Sequence, residues 1–565
     1  MKLKILPTAL VLAFAAWQAL PLRADDQIIP PTISKVWPPG MERGATATFT
    51  IEGRSLSGAR AVIFDSPGIT AKMSEITVVS EKITGPRAGV DLEAQVAQGK
   101  KEKAKLEVTV AKNVAPGIHK FRIQTLLGTS NMAVMSIGSL PEINTSQNSP
   151  KDSTAKPQHI ELPTTLIGTI ATPGEVHNYE FQGKAGEELV FQVVASQLKS
   201  DLESLLILRD SSEKELARAG ENENSPDAVL VHKLQEPGVY TISITDREKG
   251  GSKDHFYRLN AGPLPYITGV FPLGVSAGKP AEVSVSGVNL GDSHQVHVHP
   301  PKRADGWTTL PIEVKRGEEW SLNKATLAVG NEPEILEREP NNTPAAAQLI
   351  SLPVTINGHI DAGAKTGAKP DEDYFRFHAS KGQNLSVQVA ASRLGSPLDS
   401  VIEVLDAQGN PVPRATVRCL NQTTTTLSDR DSRTTGIRLV STSGLHEGDY
   451  LMIGDELDRI SVIPDQPDAD VEVEGVDEMR RAYLGTSPDV HAINTPVYRA
   501  EILSADDAKF PPNGLPVFHL TWRNDDGGPG YGADSKLDFV APRDGDYILY
   551  LRTFAISEAP ITRIA

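Results

Sequence analysis

The sequence contains a single cysteine, Cys419, among 565 residues. A lone thiol cannot form an internal disulfide, so each domain must be stabilised by burying apolar side chains. Basic residues are also few: 56 Lys and Arg face 72 Asp and Glu, and the densest basic stretch runs only from Lys100 to Lys103. A surface that follows nucleic-acid phosphates needs concentrated positive charge, so nucleic acid is not an expected partner.

Long apolar runs are absent after the N-terminus. There, Lys2 and Lys4 precede a largely apolar stretch from Ile5 to Leu22, and Ala24 ends a site suited to cleavage. This pattern predicts a signal peptide over residues 1–24 and a secreted, periplasmic or cell-surface protein. No later segment approaches the roughly 20 apolar residues that a bilayer span needs, so no membrane insertion is expected after cleavage.

Helical periodicity is nearly absent as well, whereas apolar residues alternate with polar ones in many short stretches. Examples are Leu106/Val108/Val110, Leu189/Phe191/Val193 and Tyr547/Leu549/Leu551. Alternation of period two is typical of strands with one buried face. With 46 Gly and 41 Pro to supply turns, the sequence predicts an all-β protein built of several β-sandwich domains in tandem.

Internal comparison indicates that this organisation occurs twice. Ile33 to Pro38 and Ile267 to Pro272 share the pattern Ile-x-x-Val-aromatic-Pro and are followed by matching glycines at a constant offset of 234 residues. A second series at a constant offset of 196 pairs Phe181 with Phe377, Gly186 with Gly382 and Leu189 with Leu385. We therefore expect a repeated unit that consists of a small sandwich followed by a larger one.

The small units resemble IPT/TIG immunoglobulin-like domains through that opening pattern and the turn glycines. The larger units resemble the bacterial pre-peptidase C-terminal (PPC) domain through Glu337 to Asn342, Asp373 to Phe377 and Gly545 to Tyr547. This second resemblance implies a jelly-roll-like sandwich that accompanies secreted enzymes without being catalytic. The implied domains are 30–138 (IPT/TIG-like), 158–262 (degenerate PPC-like), 265–332 (second IPT/TIG-like) and 333–565 (PPC-like, interrupted by a small β module at about 413–521).

The end of the second repeat differs from the first. The first large unit closes with Phe256 to Leu259, and no clear counterpart follows Tyr547 to Arg552. We therefore expect a truncated C-terminus with no closing strand, which would leave a sheet edge exposed.

The acid-rich linker before the second large unit is the best candidate for chemistry. In an extended chain the side chains at i, i+2 and i+4 share a face, so Glu337, Glu339 and Asn341 converge. Joined by Asp371 or Asp373, these oxygens approach the six to eight that Ca²⁺ requires. In the collagen-binding domains of bacterial collagenases, which are related to PPC domains, a similar linker binds calcium. The resemblance thus implies a structural Ca²⁺ site formed by Glu337, Glu339, Asn341, Asn342, Asp371 and Asp373.

A purely structural interpretation of the linker stays open. Asn342 or Thr343 could cap a short helix with Pro344 at its first position, with the glutamates simply solvated. The first repeat offers a comparison, since it has Thr145 and Gln147 at the glutamate positions and Glu175 and His177 at the aspartate positions. The sequence therefore predicts one calcium site rather than two.

Motifs of known enzymes fail in their context. Gly274 to Gly278 matches the nucleophile-elbow pattern, but a strand rather than a helix is predicted to follow it. Gly128 to Ala133 resembles the subtilase serine motif without the accompanying Asp and His motifs. His294, His297 and His299 lack an evident third zinc ligand, since only His297 and His299 share a face, and Cys419 lacks a base.

The sequence therefore predicts a non-catalytic, exported binding or scaffolding protein rather than an enzyme. Its expected partner is an extracellular protein or polysaccharide, and aromatics are too scarce, at 5%, to form an obvious glycan platform beyond Trp307, Trp320 and Trp522. The alternative is the non-catalytic part of a secreted peptidase or other hydrolase whose catalytic domain is missing or unrecognised. The oligomeric state is not predicted.

Overall fold

Strands make up nearly all of the regular structure. The computed structural model describes residues 30–79, 101–145, 156–220, 226–292, 294–361, 371–431, 434–466, 468–504, 510–554 and 562–564. Within these ranges the helices are short 3₁₀ turns at Ser196–Leu198, Pro344–Ala346 and Ser392–Leu394. The predicted all-β fold is confirmed. The chain forms two compact units, Met1–Leu264 and Pro265–Ala565, and the predicted signal peptide lies outside the described residues.

The first unit begins with an immunoglobulin-like sandwich. Its strands are β1 (Thr32–Trp37), β2 (Gly40–Glu42), β3 (Thr46–Arg54), β4 (Ala61–Phe64), β5 (Ile69–Val78), β6 (Lys101–Val110), β7 (Gly117–Thr125), β8 (Gly128–Thr129) and β9 (Ala133–Gly138). One sheet has the order β1-β3-β6-β5 and the other β2-β9-β7-β4. Strand β6 shows why the sheets pack, because Ala104, Leu106, Val108 and Val110 alternate with exposed residues and face a common core.

A larger sandwich, which we call the first large sandwich, completes this unit. Its strands are β10 (Glu142–Asn144), β11 (Gln158–His159), β12 (Thr164–Thr169), β13 (Val176–Gly183), β14 (Glu188–Val194), β15 (Ser204–Asp210), β16 (Glu215–Ala219), β17 (Val229–Lys233), β18 (Gly238–Asp246) and β19 (Phe256–Gly262). The sheets β10-β12-β19-β14-β17 and β11-β13-β18-β15-β16 enclose one core that includes Phe181, Phe191 and Ile242.

The second unit also opens with a small sandwich. Its strands are β20 (Tyr266–Phe271), β21 (Gly274–Ser276), β22 (Ala281–Val288), β23 (Gln295–Val298), β24 (Thr308–Ile312), β25 (Lys315–Arg316), β26 (Glu319–Trp320) and β27 (Ala325–Gly330). Sheets β20-β22-β23 and β21-β27-β24 bury Val283, Val285 and Leu327 between them. Ser276 is the last residue of β21, and strand β22 follows it as the sequence predicts, so Ser276 does not lie on a strand-to-helix elbow.

The second large sandwich is built from two separate stretches of chain. Its strands are β28 (Glu334–Leu336), β29 (Gln348–Leu349), β30 (Thr355–Gly358), β31 (Glu372–Ala379), β32 (Asn384–Gln388), β33 (Ser400–Asp406) and, after an insertion, β43 (Arg523–Asn524), β44 (Lys536–Val540), β45 (Gly545–Thr553) and β46 (Thr562–Ile564). The sheet β29-β31-β45-β33-β43 packs over the three-stranded sheet β28-β30-β46 and the two-stranded sheet β32-β44.

The insertion forms a β module with a core of its own. Its strands are β34 (Pro413–Thr424), β35 (Gly436–Ile437), β36 (Tyr450–Ile453), β37 (Glu456–Val462), β38 (Val471–Val473), β39 (Gly475–Val476), β40 (Met479–Arg480), β41 (Pro496–Ser504) and β42 (Val517–Thr521). Seven of them form the sheet β35-β38-β37-β36-β41-β34-β42. Ile437, Leu451, Ile460 and Val497 are buried together on it.

The expectation that no strand closes the second large sandwich is wrong. Strand β46 pairs antiparallel with β30, with Ile356 opposite Ile564 and Gly358 opposite Thr562. Strand β19 pairs with β12 in the same sense in the first unit. Strand β46 was not predicted because it is three residues long and lacks the aromatic pair, Phe256 and Tyr257, that opens β19.

Candidate metal centre

The acid-rich linker runs in extended form beside two strands of the second large sandwich. The amide of Glu337 donates to the carbonyl of Asn357 at 3.0 Å, which extends the β28–β30 pairing by one residue. On its other side the carbonyl of Asn341 accepts from the amide of Tyr374 in β31 at 3.1 Å. These contacts fix both ends of the linker next to Asp373, the second residue of β31.

Three carboxylates meet at this place. One oxygen each of Glu337, Glu339 and Asp373 lies within 4.8 Å of the others. Asp373 is buried, Glu337 is half-buried and Glu339 is exposed. Asn341 joins them, because its Nδ2 donates to Oε1 of Glu337 at 2.8 Å and its backbone amide donates to Oε2 of Glu339 at 3.0 Å. The predicted convergence of Glu337, Glu339 and Asn341 is therefore present.

Two oxygens of the cluster have no donor. Oδ1 of Asn341 and Oδ1 of Asp373 are buried, and neither accepts a hydrogen bond from the residues that the structure describes. The two residues are 0% and 1% exposed. An orphaned buried oxygen costs roughly 1–3 kcal/mol, so a ligand that satisfies both atoms at once would relieve a substantial penalty.

The electrostatics of the cluster disfavour ionisation of its carboxyl groups. Burial, followed by the proximity of Glu337, raises the pKa of Asp373 to about 10. Burial likewise raises the pKa of Asp371, and the carboxylates of Glu339 and Glu337 raise it further. In the described part of the chain no Lys or Arg forms an ion pair with any of the four. A divalent cation would stabilise the ionised forms that the site now disfavours.

Asn342 and Asp371 flank the cluster rather than forming its centre. Oδ1 of Asn342 accepts from the amide of Asn341 at 3.0 Å, and its Nδ2 donates to Oδ1 of Asp371 at 2.8 Å. Asp371 also accepts from the amide of Glu372 at 3.1 Å. All six predicted residues thus come together, with Asp373 rather than Asp371 beside the two glutamates.

The capping interpretation is correct for one residue and does not compete with a metal site. Oγ1 of Thr343 accepts from the amide of Ala346 and caps the 3₁₀ turn Pro344–Ala346, with Pro344 at its first position. Asn342 is not the cap, so its side chain is available to orient Asp371.

The corresponding place in the first large sandwich is filled by a closed hydrogen-bond network. Thr145 contacts the hydroxyl of Tyr179 at 2.9 Å, Tyr179 contacts that of Tyr257 at 2.6 Å, and His177 links Tyr257 at 2.7 Å to Glu175 at 2.9 Å. Burial alone would raise the pKa of Glu175, but hydrogen bonds from His177 and Thr172 outweigh it and the pKa lies below its usual value. No oxygen of these side chains is orphaned within the described residues. Gln147 lies outside them.

In each large sandwich a glycine makes room for the side chains of this site. In the first unit a Cβ on Gly168 would meet the hydroxyl of Tyr257 at 2.3 Å, and in the second a Cβ on Gly358 would meet Oε2 of Glu337 at 2.5 Å. Gly168 in β12 and Gly358 in β30 each pair with the closing strand of their sandwich. The same backbone position thus admits a phenol in one unit and a carboxylate in the other.

Sequence reasoning missed a second cluster, in the inserted module. Glu456, Asp458 and His491 are all buried, with ligand atoms within 4.8 Å of one another. Here the protein itself supplies the positive charge, because Nε and Nη2 of the Arg480 guanidinium donate to the two oxygens of Glu456 at 3.1 Å each. We therefore interpret this cluster as a charge-paired core. Its one signal in the sequence is the acidic pair Glu456 and Asp458, at i and i+2 of strand β37.

The remaining candidate residues are structural or solvated. His294, His297 and His299 are exposed. Cys419 is buried, and burial raises the pKa of its thiol to about 11. Ser130 is buried and its hydroxyl accepts from the amide of Ile123. Among the tryptophans Trp522 packs in the core, whereas Trp307 is 49% exposed but has Arg393 stacked on its ring.

None of the helices within the described residues has the length and apolar character that a membrane crossing needs.

Comparison with known proteins gives weak structural likenesses. No protein-family model matches the chain, and no curated protein matches it. The pre-peptidase C-terminal domain of a collagenase from Bacillus anthracis is 16% identical over 20% of this chain and 98% of that domain, with a TM-score of 0.17. The secreted serine protease VesC from Vibrio cholerae is 12% identical over 42% of this chain and 51% of that one (TM-score 0.15). SGBP-B from a complex xyloglucan utilization locus in Bacteroides uniformis is 11% identical over 41% and 73% (TM-score 0.15). Likenesses this weak assign no ligand or activity to the chain.

Proposed function

We propose that this protein is an exported, non-catalytic binding or scaffolding protein whose second large sandwich holds one structural Ca²⁺ ion. The observation that carries the calcium part is the group of Glu337, Glu339 and Asp373 around two orphaned buried oxygens. The export part rests on the predicted signal peptide.

Calcium fits the donors better than other common metals. Three carboxylates and the carbonyl oxygen of Asn341 supply up to seven hard oxygens, within the six to eight that Ca²⁺ takes. The cluster contains no His or Cys, which Zn²⁺ prefers. Mg²⁺ demands a compact octahedron and retains several waters, so it suits a site of one or two carboxylates.

The expected role of the ion is to fasten the linker to the sandwich. Glu337 and Glu339 belong to the linker after β28, whereas Asp373 belongs to β31. Bound at a concentration of 100 times its Kd, an ion that binds only the folded state contributes about 2.7 kcal/mol. For a unit of this size that corresponds to a rise of roughly 5–10 °C in melting temperature.

Calorimetric titration of the full chain tests the site. We expect one Ca²⁺ per chain and a higher melting temperature with Ca²⁺ than with EDTA, and we expect Glu339→Gln and Asp373→Asn to abolish both effects. Glu318→Gln, an exposed glutamate of the same unit, serves as the matched control and should behave as the wild type. An unchanged heat in Glu339→Gln, or two ions per chain, would contradict the proposal.

The non-catalytic part is supported by the surroundings of the candidate nucleophiles. Ser276 precedes a strand, Ser130 is hydrogen-bonded in the first small sandwich, and Cys419 is a buried thiol of raised pKa. Retention on insoluble collagen, cellulose or cell-wall material would identify the class of partner. Hydrolysis of casein or gelatin by the purified chain would overturn this part of the proposal.

A further inference from the structure

Strands β34 and β41 place three polar side chains on one face of the sheet in the inserted module. In their antiparallel pairing Asn421 lies opposite Arg499, and Thr423 lies opposite Val497. Residues two apart on a strand share a face, and so do residues directly opposite each other on paired strands. Asn421, Thr423 and Arg499 therefore lie on the same face as Val497, which belongs to the core of the module.

The segment from Val440 to Leu445 runs beside the end of β34 and completes a pocket. The amide of Ser441 donates to Oγ1 of Thr423 at 3.2 Å, and Nδ2 of Asn421 donates to the carbonyl of Ser443 at 3.0 Å. The pocket has a volume of about 140 Å³. Pockets for drug-sized ligands have roughly 300–1,000 Å³, so this one admits a single small group. Its lining includes Asn421, Thr423, Ser441, Ser443, Leu445 and Arg499.

The polar groups of the pocket are suited to donating hydrogen bonds. Oγ1 of Thr423 accepts from the amide of Ser441, and Oγ of Ser441 accepts from the amide of Ser443 at 3.2 Å. Each of these hydroxyls therefore retains its hydrogen for an acceptor of its own. Ser443 is exposed at the rim. Among the residues that the structure describes, no Asp or Glu lines the pocket, so its lining favours a hydrogen-bond acceptor over a cation.

Arg499 gives the pocket a positive charge that the protein does not fully use. Its Nε is buried and has no acceptor among the described residues. The carboxylate that pairs with it is that of Asp449, whose Oδ1 lies 3.9 Å from Nη1, too far for a hydrogen bond. Oδ2 of Asp449 instead accepts from the amide of His446 at 2.9 Å. The guanidinium is therefore left with donors for a ligand, and its planar fork matches two oxygens of a carboxylate or sulfate group.

We propose that this pocket binds a small oxyanion, the carboxylate or sulfate group of an acidic sugar. Arg499 supplies the charge that pairs with it, and the hydroxyls of Thr423 and Ser441 add neutral donors. The part of the ligand outside the pocket meets exposed polar residues, Gln422, Ser441 and Ser443, which suit a hydroxyl-bearing sugar better than an apolar carrier. The inference rests on the proposed binding function, whose ligand chemistry it names, and is independent of the calcium site.

Calorimetric titration of the full chain in EDTA tests the pocket, with sodium glucuronate and sodium sulfate as the probes and glucose as the neutral control. We expect saturable binding of at least one anion and no binding of glucose. Binding of glucuronate alone would assign the carboxylate as the ligand group, and binding of sulfate alone would assign the sulfate. Hydrogen exchange with the bound anion should show protection at residues 421–424 and 440–445.

Three variants locate the binding. Arg499→Gln should weaken it about tenfold or more, because a hydrogen bond to a charged group is lost. Arg481→Gln, which changes an exposed arginine of the same module, is the matched control and should bind as the wild type does. Ser443→Glu places a negative charge at the exposed rim and should abolish anion binding with an unchanged melting curve, so the test stands even if Arg499→Gln does not fold.

The results that would overturn the inference are distinct from those that bear on the proposed function. Absence of saturable binding of both anions, binding of glucose as tight as that of glucuronate, or wild-type affinity in Ser443→Glu would each overturn it. If the anions do not bind but the chain is retained on insoluble cell-wall material, this inference alone fails. If the anions bind as expected but no insoluble material retains the chain, the proposed class of partner alone fails.

Discussion

Replacing Arg480 by Met should destabilise the inserted module more than any surface change in it. The Arg480 side chain is 0% exposed and donates to both oxygens of Glu456 and to the carbonyl of Thr434 at 3.0 Å. It also donates to the carbonyls of Asp431 and Asp489. The guanidinium therefore ties strand β37 to the segments on either side of it.

The free energy of unfolding should fall by about 3–5 kcal/mol, the usual result of removing one partner of a buried ion pair. Methionine fills much of the volume but leaves the Glu456 carboxylate buried without its counter-charge. A domain has only about 5–15 kcal/mol in total, so the module should open locally well before the rest of the unit. Replacing Glu456, Asp458 and Arg480 together by apolar residues should recover much of the loss, because no unpaired charge then remains.

Hydrogen exchange in β36 and β37, together with urea denaturation, measures this loss. Arg459→Met is the matched control: Arg459 lies on β37 too, but its pair with Glu474 is 43% and 31% exposed and should contribute at most about 1 kcal/mol. If Arg480→Met costs no more than Arg459→Met, the cluster is not the charge-paired core that we describe.

Three further predictions follow from single side chains. Burial and the adjacent Glu456 raise the pKa of Asp458 well above its usual value, so the stability that its protonated form contributes is lost as pH rises from about 4. In denaturation at several pH values, the free energy of unfolding of Asp458→Asn should therefore increase relative to that of the wild type by up to about 1.4 kcal/mol per pH unit. Gly358→Ala should displace the Glu337 carboxylate and weaken Ca²⁺ binding in calorimetry, whereas Gly168→Ala should lower the melting temperature of the first unit through its clash with Tyr257 and leave Ca²⁺ binding unchanged. Thr355→Val should raise the melting temperature because it removes a buried hydroxyl that has no partner among the described residues. Thr165→Val should cost about 1–3 kcal/mol of unfolding free energy because it leaves Oδ1 of Asn260 without its donor. Equal effects of the two changes would refute this difference in hydrogen bonding.

The strands could be predicted from local patterns, because a strand with one buried face alternates apolar and polar residues. Leu106, Val108 and Val110 lie on the buried face of β6, and Tyr547, Leu549 and Leu551 are buried in β45, as expected. Strand β46 was missed because three residues cannot establish a period.

The linker of the candidate metal centre was predictable because its convergence is local. An extended chain brings Glu337, Glu339 and Asn341 to one side whatever the rest of the fold does. The choice between Asp371 and Asp373 was not local, since both lie at alternate positions and only the tertiary pairing with Asn342 diverts Asp371. The Arg480 cluster draws on residues 24 and 35 positions from Glu456, and no spacing rule joins them.

The two large sandwiches fill the same buried position with different side chains. Beside Gly168 the phenol of Tyr257 and the imidazole of His177 fill the space and saturate each other with hydrogen bonds, so an ion would have to break bonds to enter. Beside Gly358 the carboxylate of Glu337 faces that of Asp373, and the two repel unless a proton or a cation lies between them.

Burial already raises the pKa of Asp373 to about 10. At neutral pH without metal its carboxyl group is therefore protonated, and Ca²⁺ must displace that proton in order to bind. Calcium affinity should therefore increase with pH up to about tenfold per unit through the neutral range, and Asp373→Asn should remove that dependence together with the binding itself. A pH-independent affinity in the wild type would mean that the carboxylates are already ionised and held by something other than the ion.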